Sequence, residues 1–107
     1  MQREWKTLAA TLALTATLTL TGCLPAERIA IWECVHKHEQ PNWQAPGRYP
    51  GGLGILRAAW RENGGLQFAP TGNLATPLQQ MLVGEAIVAR FGWKAWAPAT
   101  RRACGLR

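Results

Sequence analysis

Beyond residue 22, apolar positions recur three and four apart, and stretches rich in Gly and Pro interrupt them. From Pro25 to Glu39, one stripe is Ile29, Trp32 and Val35, and a second is Ile31, Cys34 and His38. This is the period of an α-helix. Pro25 beside the first turn, Glu27 early and Lys37 and His38 late agree with the helix dipole. Residues 40–54 carry Pro41, Pro46, Gly47, Pro50, Gly51, Gly52 and Gly54. They predict a shaped loop with room for a short β-hairpin. A second helical run, Ile55 to Glu62 around Trp60, stops at Asn63-Gly64-Gly65, residues that favour a helix C-terminus. Phe68–Ala75 predicts another loop. Thr76-Pro77-Leu78-Gln79 then has the form of a capping box with Pro in the first turn. The helix it opens runs to Phe91, and Gly92 ends it. A corner, Trp93-x-x-Trp96-x-Pro98, and a last turn reach Cys104. The pattern predicts a mainly helical, loop-rich domain without internal repeats.

The front of the chain reads differently. Met1–Lys6 holds two cations and one anion, and Thr7–Thr21 contains only Leu, Ala and Thr. A basic head followed by an apolar run is the form of a secretory signal. At roughly 15 residues the run is shorter than the ~20 that cross a bilayer as a helix. It ends in Leu20-Thr21-Gly22-Cys23, which resembles a bacterial lipobox, where the thiol is diacylated and the chain is cut just before it. An ordinary signal, or an uncleaved anchor with an incidental Cys, is the plainer alternative. The expected organisation is a signal peptide over 1–22, lipidated Cys23 with a short linker over 23–28, and one domain over 29–107. Acyl chains hold a protein at a membrane because each buried CH₂ contributes ~0.8 kcal/mol. The expected location is therefore the outer face of the cytoplasmic membrane.

A domain this small gains from a covalent staple. If Cys23 carries lipid, Cys34 and Cys104 remain as an even pair. Export places them where disulfides persist, so a Cys34–Cys104 bridge is expected, with two free buried thiols as the alternative. Ten of the 12 Lys/Arg and five of the six acidic residues lie beyond Gly22, and none of the acids is Asp. The basic balance suits an anionic surface such as wall polymer or phospholipid. Nucleic acid fits the charge but not the export.

Five carboxylates remain as candidates for chemistry: Glu27, Glu33, Glu39, Glu62 and Glu85. Glu39 stands where the first helix meets the Gly/Pro loop, four residues before Trp43, and so at the edge of a groove with an aromatic wall. Glu33 is six residues back and faces elsewhere on the helix. Glu27 is in the first turn, Glu62 precedes a Gly-Gly stop and Glu85 is mid-helix. A solvated side chain is the ordinary fate of any single Glu.

Several runs, taken in order, resemble the catalytic domain of resuscitation-promoting factors, which are lysozyme-like, transglycosylase-like proteins. They are Cys34-Val-His-Lys-His-Glu39-Gln-Pro-Asn-Trp43, Tyr49-Pro-Gly51-Gly52-Leu53-Gly-Ile55 with Trp60, Leu74-Ala-Thr76-Pro-x-Gln79-Gln80, Gly92-Trp93-x-x-Trp96-x-Pro98, and Cys104-Gly-Leu. The resemblance covers about residues 29–107. It implies a small α+β, mainly helical lysozyme-type fold and cleavage of the MurNAc–GlcNAc bond of peptidoglycan. It also implies one catalytic Glu near the end of the first helix, here Glu39, and a disulfide, here Cys34–Cys104. This chain departs from the family where Gln commonly follows Gly-Gly-Leu, having Gly54, and where Thr or Ser precedes the groove Trp, having Ala59. Glu39 to Trp43 is also one residue shorter and contains Pro41.

Glycoside cleavage needs a carboxylic acid to protonate the leaving oxygen. With no Asp and no second Glu near Glu39 in sequence, a single-acid scheme remains. Glu39 then acts as base on either a water or the sugar's own 6-hydroxyl, the latter giving an anhydro end. Glu62 arriving in the groove through folding would restore plain hydrolysis. Trp43, Tyr49 and Trp60 are the candidates to stack on sugars, while Trp32, Trp93 and Trp96 are expected in the core. Gly51 and Gly52 are either glycan-facing backbone or a plain turn. Cys34, His36, His38 and Glu39 are metal-ligand types, but His36 and His38 diverge on a helix and Cys34 has a partner. No metal or cofactor is expected. The expected partners are peptidoglycan strands and the membrane under a monomer. Two other readings are a module of the same fold that binds glycan without cutting, and an unrelated small lipoprotein.

Overall fold

Thr76 opens the longest helix by local chemistry alone. Its Oγ1 accepts from the Gln79 amide N–H while Gln79 Oε1 accepts from the Thr76 N–H, closing a capping box ahead of Pro77. The computed structural model describes residues 22–107. The expected signal segment therefore lies, apart from Gly22, outside the described residues. Among the described residues four helices follow in order: α1 Ala26–Glu39, α2 Arg57–Glu62, α3 Pro77–Phe91 and α4 Pro98–Ala103. Single 3₁₀ turns at Gly65–Gln67, Gly72–Leu74 and Trp93–Ala95 connect them. No described helix is long and apolar enough to cross a membrane.

The mainly helical expectation holds, and α3 has the bounds its caps predicted. The second helix starts two residues later than its apolar spacing suggested, because Ile55 turns into the core and Leu56 is extended. The short hairpin does not form: residues 40–56 are bends, turns and irregular backbone, with no strand among the described residues. Pro46 and Pro50 cannot donate to a ladder. Part of the loop's polar backbone is met within the loop instead. Gly51 N–H donates to Ala45 O at 2.8 Å, and Gln40 Nε2 donates to Tyr49 O at 3.0 Å.

The core forms where α1, α3 and the Trp93–Pro98 corner meet. Trp32 and Val35 of α1 are buried with Leu53, Trp60, Met81, Val83, Ile87 and Trp96. Trp32 lies 4.9 Å from Trp93 and 5.3 Å from Trp96, ring centre to ring centre, in tilted and edge-on geometry. Such pairs add about 0.5–1.5 kcal/mol beyond burial. Gly84 makes the α1–α3 approach possible, since a Cβ there would lie 2.6 Å from Trp32 Cη2. A mid-helix Gly costs about 0.5–1 kcal/mol relative to Ala; here it admits a whole indole against the α3 backbone.

One turn of polar contacts fixes that packing. Glu85 accepts from Arg28 Nε and Nη2 at 2.8 and 2.9 Å and from Trp32 Nε1 at 2.8 Å. The hydrogen bond to Glu85 is the main reason the Arg28 guanidinium holds its proton more tightly than usual. At the far side, the Cys34–Cys104 disulfide joins α1 to the end of α4 with Cα atoms 5.8 Å apart. The bridge expected from sequence is thus present.

Replacing Glu85 with Ala strands the buried Trp32 N–H and unpairs Arg28. Losing such partners costs about 1–3 kcal/mol, and in a domain of this size each kcal/mol lowers Tm by roughly 4–8 °C. Thermal unfolding of Glu85→Ala followed by tryptophan fluorescence measures this; a Tm equal to wild type would contradict the role given to Glu85.

Candidate active site

Glu39 is the last residue of α1, and Gln40 after it is extended, so the chain leaves the helix beside the carboxylate. The side chain is half-buried between α4 and the Gly/Pro loop. Thr100 Oγ1, on α4, donates to Glu39 Oε2 at 2.6 Å. On the other side lies Gly54, with φ of +70°, where a Cβ would collide with Glu39 Oε1. Gly54 also lines a cleft of about 270 Å³ with Tyr49, Ile55, Leu56, Ala59 and Trp96. Gly54 is therefore the residue shared between the carboxylate and a mostly apolar cleft, which Glu39 itself does not line.

The loop that shapes this region is held by a buried amide. Gln80 is 2% exposed, and its Oε1 accepts from Gly52 N–H at 2.7 Å while Nε2 donates to Trp43 O at 2.9 Å and Ala75 O at 3.0 Å. All of its hydrogen-bonding capacity but one lone pair is used, as burial demands. His36 completes the arrangement by donating from Nδ1 to Gly52 O at 2.8 Å while stacking on Trp43, centroids 4.1 Å apart and 19° between planes.

The structure brings some of the expected site residues together and separates others. Glu39 and Tyr49 adjoin the cleft through Gly54 and as lining, respectively. Trp43 is half-buried with one ring face covered by His36. Gly51 and Gly52 are buried, and the Gly52 N–H and C=O are committed to Gln80 and His36. A Cβ at Gly52 would collide with Trp43. These glycines thus support the loop from behind rather than offering backbone to a ligand. Trp60 is the clearest correction. It is 1% exposed in the core and donates from Nε1 to Ala69 O at 2.9 Å, so no ring face is left for a sugar.

The remaining carboxylates are placed elsewhere. Glu85 is engaged by Arg28 and Trp32, Glu27 is in the first turn of α1, and Glu33 is exposed on α1. Glu62 closes α2, where Arg90 Nη1 donates to its carbonyl at 3.3 Å, whereas the cleft adjoins the α2 start at Leu56 and Ala59. Cys34, His38 and Cys104 gather their ligand-type atoms within 4.8 Å. The two sulfurs are bonded to each other, and His38 Nδ1 is 2.9 Å from Cys34 O, so this group offers no thiolate.

Sequence reasoning missed two residues here. Gln80 stood inside a quoted motif, but its reach of 28 residues back to Gly52 has no local sign. Thr100 does carry a signal: it precedes Cys104 by four residues, one helical turn, so a bridge from Cys104 to α1 turns Thr100 toward α1 as well.

This is a small, disulfide-stapled, lysozyme-like helical domain with the Glu39 carboxylate at the end of α1, beside Gly54 of an apolar cleft. Residues 27–99 match the family described as transglycosylase-like domain, and the chain belongs to that family. It is similar to resuscitation-promoting factor RpfA of Mycobacterium tuberculosis, 38% identical over 68 residues, which are 61% of this chain and 17% of RpfA. It is also similar to RpfB of Mycolicibacterium smegmatis, 36% over 63 residues, 57% of this chain and 17% of RpfB. With Rpf1 of Corynebacterium glutamicum the identity is 33% over 105 residues, 94% of this chain and 54% of Rpf1. The chain therefore spans 17% of the two mycobacterial relatives and just over half of Rpf1.

Gln80→Leu leaves the Gly52 N–H and two carbonyls without partners in a buried place. Each lost partner costs about 1–3 kcal/mol, so the variant is expected to lose at least about 2 kcal/mol with a changed near-UV tryptophan signal. Urea unfolding with near-UV circular dichroism checks this; an unaltered midpoint and spectrum would refute the assignment of Gln80 as the loop's anchor.

Proposed function

We propose that this domain cleaves the MurNAc–GlcNAc bond of peptidoglycan by lytic transglycosylation, with Glu39 as its single acid and base. The observation that carries the reading is the Glu39 carboxylate beside Gly54, a residue of the cleft wall, with one oxygen held by Thr100 and the other against Gly54. Membership of the transglycosylase-like family supports it.

The chemistry follows from this one group. The protonated carboxyl gives its proton to the glycosidic oxygen as the C1–O bond breaks, leaving an oxocarbenium-like sugar and a free hydroxyl on the departing residue. The carboxylate then takes the proton of the sugar's 6-hydroxyl as that oxygen closes on C1, which regenerates the acid and yields an anhydro end. Water in place of the 6-hydroxyl would give hydrolysis. Retaining and inverting glycosidases pair two carboxyl groups across the bond at about 5–9.5 Å. Here the other described carboxylates are engaged, exposed elsewhere or at the far end of α2. Tyr49, 40% exposed with Arg48 5.9 Å over its ring, and the apolar lining supply a surface for sugar rings.

A specific observation favours a second reading. Gly54 and Ala59, the two positions where the sequence lacks commonly polar side chains, both line the cleft. A domain that holds glycan without cutting it would tolerate that loss. Purified cell walls treated with wild-type protein are expected to release soluble muropeptides, and Glu39→Gln is expected to reduce release by about 10²-fold or more. Equal release by both would rule out Glu39 as the acid, and none from either would favour the binding module.

We also propose export and anchoring through Cys23, with a monomeric domain facing the wall. Cys23 is exposed, and Leu24 packs against the core, so the helix begins almost at the anchor. From there α1 rises about 20 Å to Glu39 at its other end. The cleft would sit within a few nanometres of the bilayer. In an expressing bacterium fed labelled palmitate, the full chain is expected to take up label and Cys23→Ser is not; label on the variant, or none on the wild type, would contradict the anchor.

A further inference from the structure

We propose that Thr100 is the positioning residue for Glu39, and that its hydroxyl decides which carboxylate oxygen carries the catalytic proton. This rests on the reading of Glu39 as the acid. Thr100 is 4% exposed on α4, and its hydroxyl donates to Oε2 at 2.6 Å, the short end of the range for such bonds. Oε1 has no hydrogen-bond partner among the described residues. It lies against Gly54, the residue that also lines the cleft.

A neutral carboxyl has one oxygen that only accepts and one that bears the hydrogen. With Thr100 donating, Oε2 is the acceptor, so the proton belongs on Oε1, against Gly54. Glu39 itself does not enforce this choice, because the terminal torsion of a Glu side chain is broad and nearly two-fold. Thr100 breaks that symmetry, and the same bond continues after the proton has left, now to a carboxylate. Nothing needs to reorganise between the acid and base roles of Glu39.

The placement of Thr100 is itself built in. Cys104 stands one turn further along the same chain segment and is bonded to Cys34, five residues before Glu39 on α1. Trp96 Nε1 donates to Leu53 O at 2.8 Å just ahead of α4. Thr100 is thus held between two fixed points, and Gly54 follows Leu53 directly. The Gly at 54, where the resembling family commonly has Gln, finds a reason here. Oε1 occupies the space a side chain would need, and the positive φ lets the backbone pass beneath it. Gly54 and Thr100 form a complementary pair around one carboxylate.

The test uses turnover of a tetrasaccharide muropeptide by wild type, Thr100→Val, Thr100→Ser and Glu39→Gln, each checked for Tm. Thr100→Val is expected to lower kcat about tenfold or more, since misplacing a reacting group by an ångström costs on that scale or beyond. KM is expected to stay within about twofold, the pattern of an interaction that matters in the transition state. Thr100→Ser, which keeps the donor, is expected to recover most of the turnover. Wild-type kcat in Thr100→Val, a loss confined to KM, or a folded Thr100→Ser as slow as Thr100→Val would each overturn the proposal. If Thr100→Val does not fold, Thr100→Ala against Thr100→Ser makes the same comparison. Activity retained by Glu39→Gln would instead sink the reading of Glu39, whatever the Thr100 variants do.

Discussion

The tie between α1 and α4 is the constraint on which the site depends. Cys34 and Cys104 are 70 residues apart in sequence, and their bridge closes nearly the whole folded chain. Closing a loop of that length stabilises a fold by about 2–4 kcal/mol through the unfolded state. For a domain with so small a core this is a large share of a net stability of roughly 5–15 kcal/mol. The bridge also has a local effect. It lays the six-residue α4, too short to be stable alone, along the C-terminal half of α1, and so sets Thr100 against Glu39. Covalent closure and the geometry of the carboxylate are one feature.

A second layer of support runs through the interior. Gly84 lets Trp32 press into α3, and Glu85 on the next position accepts from both Trp32 and Arg28. This fixes the axis of α1 and with it the height of Glu39. One turn earlier, Gln80 on the same helix takes hold of Gly52 and Trp43. α3 thereby positions both walls of the region: the helix that ends in the acid, and the loop that curves over it. Leu53 and Gly54 lie between these supports, which is why the cleft opens there.

What the sequence revealed about this structure followed the range of the interactions involved. The bounds of α3 were legible because Thr76, Gln79, Pro77 and Gly92 act within one turn of the chain. The bridge was legible through cysteine count and an expected export, and the position of Glu39 at a helix end through the Gly/Pro loop that follows it. The hairpin expected over residues 40–54 failed because the partner of Gly52 is a side chain 28 residues away, not a neighbouring strand. Trp60 was misplaced for a related reason: helical spacing says which face a residue is on, not how deeply packing against Gly65 and Ala69 will bury it. Gly51 and Gly52 looked like ligand-facing backbone because a glycine admits close approach without saying by what; here it is Gln80, Trp43 and His36.

In the proposed reaction one carboxylate serves as acid and then as base, which constrains the product. We propose that a sugar cation with no second described carboxylate beside it is captured by its own 6-hydroxyl. The direct test is mass spectrometry of the ends released from purified peptidoglycan by the wild-type protein. Muropeptides ending in 1,6-anhydro-MurNAc are expected to dominate. Products ending only in free reducing sugars, with the mass of one added water, would contradict it and require a second group that activates that water.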